Sequence, residues 1–183
     1  MSTNIELLSA NNKLIQIQND VREFFNWDVK LDEDSAIELL STVENSSIDV
    51  WTRSQRLVTL ANLRRRLVLR KTKIAVLGAA VDKSEVISTL ESSSLFVAAD
   101  GAVGVFSSLP ETISERAWSR LACIVSDADG GDGTIVAVKK SIPVILHAHG
   151  DNFDSWKNLL KVASQVPHPP RLVLTHQTPD KIE

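Results

Sequence analysis

From residue 73 onward five short apolar runs recur along the chain, at 74–77, 95–98, 122–125, 144–146 and 172–174. Each is partly β-branched and fails to alternate with polar residues, the pattern of a parallel strand buried on both faces. Stretches with helical spacing lie between them, at 83–90, 112–120, 133–140 and 153–164. Strand and helix in alternation predict an α/β fold: a Rossmann-like, mostly parallel sheet of five strands with flanking helices and right-handed crossovers.

The region before the first run has a different character. All seven glycines fall between Gly78 and Gly150 and all six prolines between Pro110 and Pro179, so residues 1–77 contain neither. The expected organisation is an N-terminal helical region, 1–72, and an α/β catalytic domain, 73–183. Leu14, Ile17, Val21, Phe24 and Phe25 recur at spacings of three and four, predicting a first helix. Asn26-Trp27-Asp28 breaks it. Asp32 is the expected N-cap of a short second helix through Ala36, Leu39, Leu40 and Val43. After a turn at Asn45-Ser46-Ser47, a third helix is expected over 52–70, with Leu57, Leu60, Leu63 or Arg64, and Leu67 facing inward. Apolar positions on more than one side of these helices fit a homodimer.

At 183 residues and 43% hydrophobic, the chain suffices for one domain with a sizeable core. Collagen-like, disordered and disulfide-stapled classes are excluded. The net charge of −3 argues against a nucleic-acid binder. Eight basic and no acidic residues lie between Arg53 and Lys73, a cationic segment on an otherwise acidic molecule. Most such runs are solvated faces; here one arginine is a candidate for reaching a phosphate. The single Cys123 sits in an apolar run, reads as a small buried hydrophobe and fits a reducing cytoplasm. No run reaches the ~18 apolar residues of a membrane span. Glu6 and the lack of a basic-then-apolar pattern argue against a signal peptide.

Four strands end in polar, glycine-containing loops, and the carboxyl edge of a parallel sheet is where ligands of open α/β folds bind. The third loop, Ser126 to Gly133, carries Asp127 and Asp129. On an extended strand end these two carboxylates point to one side and repel unless a cation joins them. Magnesium binds through such carboxylates together with substrate phosphates. Gly130, Gly131 and Gly133 allow backbone amides to approach a phosphate. The plainer reading is an acidic turn, with Asp132 near a helix N-terminus. The fourth loop holds His147, His149, Gly150, Asp151 and Asn152. His-x-His with Asp151 is compatible with zinc, with phosphate or hydrogen-bonding contacts, or with a structural role; Asp151 is also a suitable N-cap for the helix that follows. In the second loop Asp100, beside Gly101, suits a ribose or heterocycle contact or a turn. In the first loop only Gly78 offers close backbone approach, and Lys83-Ser84 at a helix start is a candidate for an anion. Trp27, Trp51, Trp118 and Trp156 read as packing residues. His176 follows the fifth strand toward the crevice, and His168 among prolines faces solvent.

Taken together, Gly78-Ala79, Ala98-Ala99-Asp100-Gly101-Ala102, Val125-Ser126-Asp127-Ala128-Asp129-Gly130 and His147-Ala148-His149-Gly150-Asp151-Asn152 resemble the archaeal-type 6-hydroxymethyl-7,8-dihydropterin pyrophosphokinases, a group related to thiamine pyrophosphokinase. The stretch from Phe25-Asn26-Trp27-Asp28 through Asp32 to Ala36 resembles that family's helical lead-in, and the likeness runs from roughly residue 20 to 178. The resemblance implies magnesium-dependent transfer of diphosphate from ATP to a pterin alcohol, releasing AMP. By carry-over Asp127 and Asp129 hold magnesium and, with Asp151 nearby, form the catalytic set. Gly78, Gly101 and Gly130 line the nucleotide loops. His147, His149 and Asn152 contact phosphate or pterin, and Asp100 contacts a ligand hydroxyl or ring. Two features depart from the family pattern: Ala80-Val81-Asp82 stands where Gly-Pro-Ser is usual, and the family's glycine- and aspartate-rich segment after the last strand is not found before Glu183. The alternatives are a non-catalytic nucleotide- or pterin-binding module, a zinc hydrolase built on His147, His149 and Asp151, and a sugar-nucleotide transferase using the Asp-x-Asp pair.

Overall fold

The computed structural model describes residues 12–69, 72–92 and 94–177. Leu14, named above for the first helix, lies outside the described side chains, and position 70, the expected end of the third helix, lies outside the described residues. Five strands, β1 (Ile74–Leu77), β2 (Leu95–Ala99), β3 (Leu121–Ser126), β4 (Val144–Ala148) and β5 (Leu172–His176), form one all-parallel sheet in the order β1-β2-β3-β4-β5. The fold class is as the apolar runs predict. Several strands run on past those runs because polar residues join the ladder: His147 pairs in register with Thr175, and Ala148 with His176.

A sheet wound in sequence order with right-handed crossovers carries its connecting helices on one face. Helices α4 (Lys83–Glu91), α5 (Glu111–Arg120), α6 (Gly131–Lys139) and α7 (Phe153–Gln165) bury Val86, Leu90, Ala117, Val138 and Trp156 in one core with Phe96, Ile124, Leu146 and Leu172 of the strands. Helix α2 (Val29–Glu44) extends that layer, adding Ala36, Leu39 and Val43. The buried Trp156 donates from Nε1 to Ser35 Oγ of α2 at 3.1 Å, and the buried Trp51 donates to the Pro170 carbonyl at 2.8 Å. The helical lead-in and the sheet therefore share one core. A 3-10 segment, Asp100–Ser108, inserts Val103 and Phe106 into it; the sequence pattern missed this element.

The opposite face is thinly covered. Helix α3 (Arg53–Arg64) and the π-helical turn Arg65–Leu69 pack Leu63 and Leu67 against Val97, Cys123, Ile145 and Val173. Leu57 and Leu60, expected inward, are half exposed, because they border an open cleft beside β5 instead of closing on the sheet. β1 is not buried on both faces: Val76 is 75% exposed. Cys123 is fully buried as expected, and burial pushes its thiol up to about 11.

Helix α1 (Asn12–Phe25) forms where the periodicity places it, but the expected apolar face is solvent-exposed at Ile17, Val21, Phe24 and Phe25, and the buried residue is Arg22. Trp27 is likewise exposed instead of packed in the core. Asn26 ends α1 in a left-handed conformation, φ 53°. Asp32 is not an N-cap: Asp28 caps α2, accepting from Lys30 N–H at 2.8 Å, and Asp32 lies inside the helix, buried. No helix among the described residues is long and apolar enough to cross a membrane.

Candidate functional site

The carboxyl edge of the sheet is assembled around a glycine seam. Gly101 of the second loop meets Gly130 and Gly133 of the third, backbone against backbone. A Cβ on Gly101 would overlap the Gly130 carbonyl oxygen, and one on Gly133 would overlap the Gly101 carbonyl oxygen. Gly130 and Gly133 thus serve loop-to-loop packing. Gly131 differs. At φ 63° it opens α6, and a Cβ there would meet nothing within 4 Å. The α6 N-cap, Gly130, makes no side-chain capping bond among the described residues, so the first N–H groups of that helix remain available to a ligand.

The seam brings three carboxylates together. Asp100, Asp127 and Asp129 each offer an oxygen within 4.8 Å of the others. Asp127 and Asp129 converge by a turn, not by strand alternation: β3 ends at Ser126, Ala128 adopts φ 78°, and Asp127 Oδ1 accepts from Asp129 N–H at 3.3 Å. Asp100, itself at φ 46°, accepts from Asp127 N–H at 3.2 Å. The buried Ser126 hydroxyl accepts from Ala128 N–H at 2.9 Å and supports Asp100. Burial, helped by the charge of Asp127, holds the Asp100 carboxyl above its ordinary value against the Ser126 hydrogen bond. Asp129 is raised by its hydrogen bond to the Asp127 carboxylate and by that residue's charge. Burial opposes ionisation of Asp127, but hydrogen bonds from Asp129, His149 and Asp100 outweigh it and bring its carboxyl below the usual range. One carboxylate holds its charge and two resist theirs, an arrangement that a divalent cation relieves.

The fourth loop closes over this cluster. His149 directs Nε2 to Asp127 Oδ2 at 3.3 Å and pairs through Nδ1 with Asp151, which is otherwise solvent-exposed. Asn152, almost fully buried, accepts from His149 N–H at 3.0 Å and donates to the carbonyls of Asp127 and His147, both at 2.8 Å. Its amide is consumed in tying the third and fourth loops together, so it positions the site rather than contacting a ligand. His147 meets Thr175 Oγ1 through Nδ1 at 3.0 Å, and burial, with the nearby His149, lowers its pKa. His147, His149 and Asp151 do not form a metal triad among the described residues; both nitrogens of His149 already face carboxylates.

Two residues that the sequence reading did not assign to the site hold the loop in place. Asp32 accepts from Gly150 N–H at 2.7 Å and from Arg22 Nη2 at 2.6 Å. Arg22 also donates to the Gln177 carbonyl at 3.1 Å, beyond β5. Asp32 had a readable signal: it stands four, seven and eleven residues before Ala36, Leu39 and Val43, on the buried stripe of α2. The first loop contributes little. Asp82 and Glu85 form a capping box at the start of α4, and Ser84 Oγ donates to Asp82 at 2.7 Å, so Lys83-Ser84 presents no open N-terminus to an anion. Gly78 sits in an open turn, its carbonyl accepting from Val81 N–H at 3.1 Å. Two arginines of the basic segment are spent elsewhere: Arg56 on Glu44 and the Trp51 carbonyl, Arg66 on the Ser119 carbonyl just before β3. Comparison with protein-family models, curated proteins and solved structures returns no match.

Proposed function

We propose that the protein is a magnesium-dependent diphosphotransferase that moves diphosphate from ATP to the hydroxyl of 6-hydroxymethyl-7,8-dihydropterin and releases AMP. The observation that carries this reading is the convergence of Asp100, Asp127 and Asp129 at the carboxyl edge of a parallel sheet, beside an uncapped helix N-terminus. An all-carboxylate donor set suits a hard cation such as magnesium better than zinc. In the proposed reaction the acceptor oxygen bonds to the β-phosphorus, the bond from that phosphorus to the bridging oxygen of AMP breaks, and the hydroxyl proton is released. Asp127 and Asp129, with Asp100, would hold the ion, which when bound neutralises phosphate charge. The open N–H groups at Gly131 face the phosphates, and Asp151 orients His149 beside Asp127. Such chemistry asks for positioning and charge neutralisation more than for covalent catalysis. A cytoplasmic location belongs to the same reading and is supported by the lone, buried Cys123.

The test is AMP formation from ATP, magnesium and hydroxymethyldihydropterin. Asp127→Asn is expected to lower the rate by roughly 100- to 1,000-fold, the order of a lost metal contact to the phosphates. A wild-type rate no higher than that of the variant would overturn the proposal.

A further inference from the structure

We infer that the acceptor occupies a cleft of about 360 Å³ between the α1–α2 turn and the fourth loop, and that the cleft selects a flat, uncharged heterocycle whose edge offers both N–H donors and a carbonyl. This assignment rests on the diphosphotransfer reading for the identity of the second substrate. The cleft is walled by Asn26, Trp27, Asp28 and Leu31 on one side and by Gly150, Asp151 and Gln177 on the other. Its volume falls in the range of small-molecule sites.

Three observations fix its chemistry. First, no lysine or arginine lines it among the described residues, while three aspartates do, so a phosphate tail is repelled and an N–H-bearing ring is favoured. Asp32 is neutralised from behind by Arg22, and Asp151 is engaged by His149. Asp28 gives Oδ1 to Lys30 N–H and keeps Oδ2 without a partner among the described residues. The side-chain amides of Asn26 and Gln177 add matched donors and acceptors. Second, Trp27 is 56% exposed yet held: Phe25 stacks on it at 5.0 Å with 19° between planes, which presents the indole as a fixed stacking surface. Third, the cleft adjoins the carboxylates. His149 lines it and also contacts Asp127, so a ring seated against Trp27 is one side chain away from the proposed phosphate site.

Arg22 explains why the wall stands. It is 4% exposed, and its Nε and Nη1 find no partner among the described residues, a costly placement. Its one engaged nitrogen, Nη2, ties Asp32 to the Gln177 carbonyl, joining both sides of the cleft from beneath.

The test is calorimetric titration of 6-hydroxymethylpterin into the full chain, with magnesium alone and with magnesium plus a non-hydrolysable ATP analogue. Trp27→Ala is expected to weaken pterin binding by about tenfold or more, as loss of an aromatic–base stack does, without lowering the melting temperature; Trp27→Phe is expected to restore most of it. Pterin binding unchanged in Trp27→Ala, no pterin binding by wild type under either condition, or a Trp27→Ala loss confined to the ATP analogue would each overturn the assignment. The two readings fail separately: pterin binding through Trp27 without AMP release sinks the transfer reaction and keeps the cleft, whereas AMP release with unchanged pterin KM in Trp27→Ala sinks the cleft and keeps the reaction.

Discussion

The first and third loops have the same outline. Each leaves a parallel strand, carries glycine and opens a helix on the same face of the sheet. They end in opposite states. In the first, Asp82 and Glu85 turn back on the chain and cap the N-terminus of α4 with a capping box. In the third, glycine stands at the cap of α6, and among the described residues no side chain caps it and the neighbouring acids are drawn together with His149 as their one basic partner. The difference lies in where the chain spends its polar groups. A strand-end loop becomes a candidate site when its N–H groups and carboxylates are left over, and glycine alone does not decide that.

The largest expected effect tests the glycine contrast. Gly101→Ala drives a Cβ into the Gly130 carbonyl, backbone against backbone, where neither partner can yield cheaply. A loss of about 3 kcal/mol is expected, or roughly 6–12 °C in Tm for a domain of this size. Gly78→Ala meets nothing within 4 Å and is expected to leave Tm unchanged or raise it slightly through the unfolded state. Thermal melts of the two variants side by side check this, and equal effects would erase the distinction between the loops.

Much of the fold was legible because its signals are local. Five apolar runs place five strands, and β1 runs over the predicted residues, 74–77. The convergence of Asp100, Asp127, His149 and Asp151 at one edge also followed from strand placement alone. What stayed hidden depends on partners distant in sequence. The packing of Gly101 against Gly130 and Gly133 cannot be read until the two loops are side by side. Asp32 looks like a cap until Gly150 and Arg22, on other elements, are seen to claim it. Helix α1 shows its period but not which face is buried, because polar contacts of Arg22 and Gln18 with Asp32 and the Gln177 carbonyl, not apolar area, hold it.

A smaller effect separates the two helix starts. Asp82→Ala removes the capping box of α4 and is expected to lower Tm by a few degrees while leaving AMP formation unchanged. The carboxyl of Asp82 lies below its ordinary value, chiefly through the Ser84 hydrogen bond, then through the backbone of Glu85. A group lowered on folding stabilises above its unfolded pKa and loses that contribution as the pH falls through the folded value. The Tm gap between wild type and Asp82→Ala therefore closes in strong acid; a gap of equal size there would assign it to something other than the ionised cap.

The third loop should show the opposite sign and the smallest shift. Asp100 and Asp129 are raised on folding, so their protonation favours the folded state, and that contribution disappears as the pH rises through their folded values. Asp127, lowered by its hydrogen bonds against the cost of burial, runs the other way. In metal-free protein at neutral pH, Asp100→Asn removes one of the crowded charges and keeps an oxygen for the Asp127 N–H; asparagine also tolerates φ 46°. Solvent screening limits the gain to under about 1 kcal/mol. The variant is expected to melt slightly above wild type at neutral pH, to lose that advantage as acid protonates wild-type Asp100, and to melt below wild type in saturating magnesium. Melts across pH with and without magnesium read all three signs. An Asp100→Asn advantage that survives both acid and magnesium would mean that the three carboxylates are an ordinary acidic turn, no different in kind from the capped loop at β1.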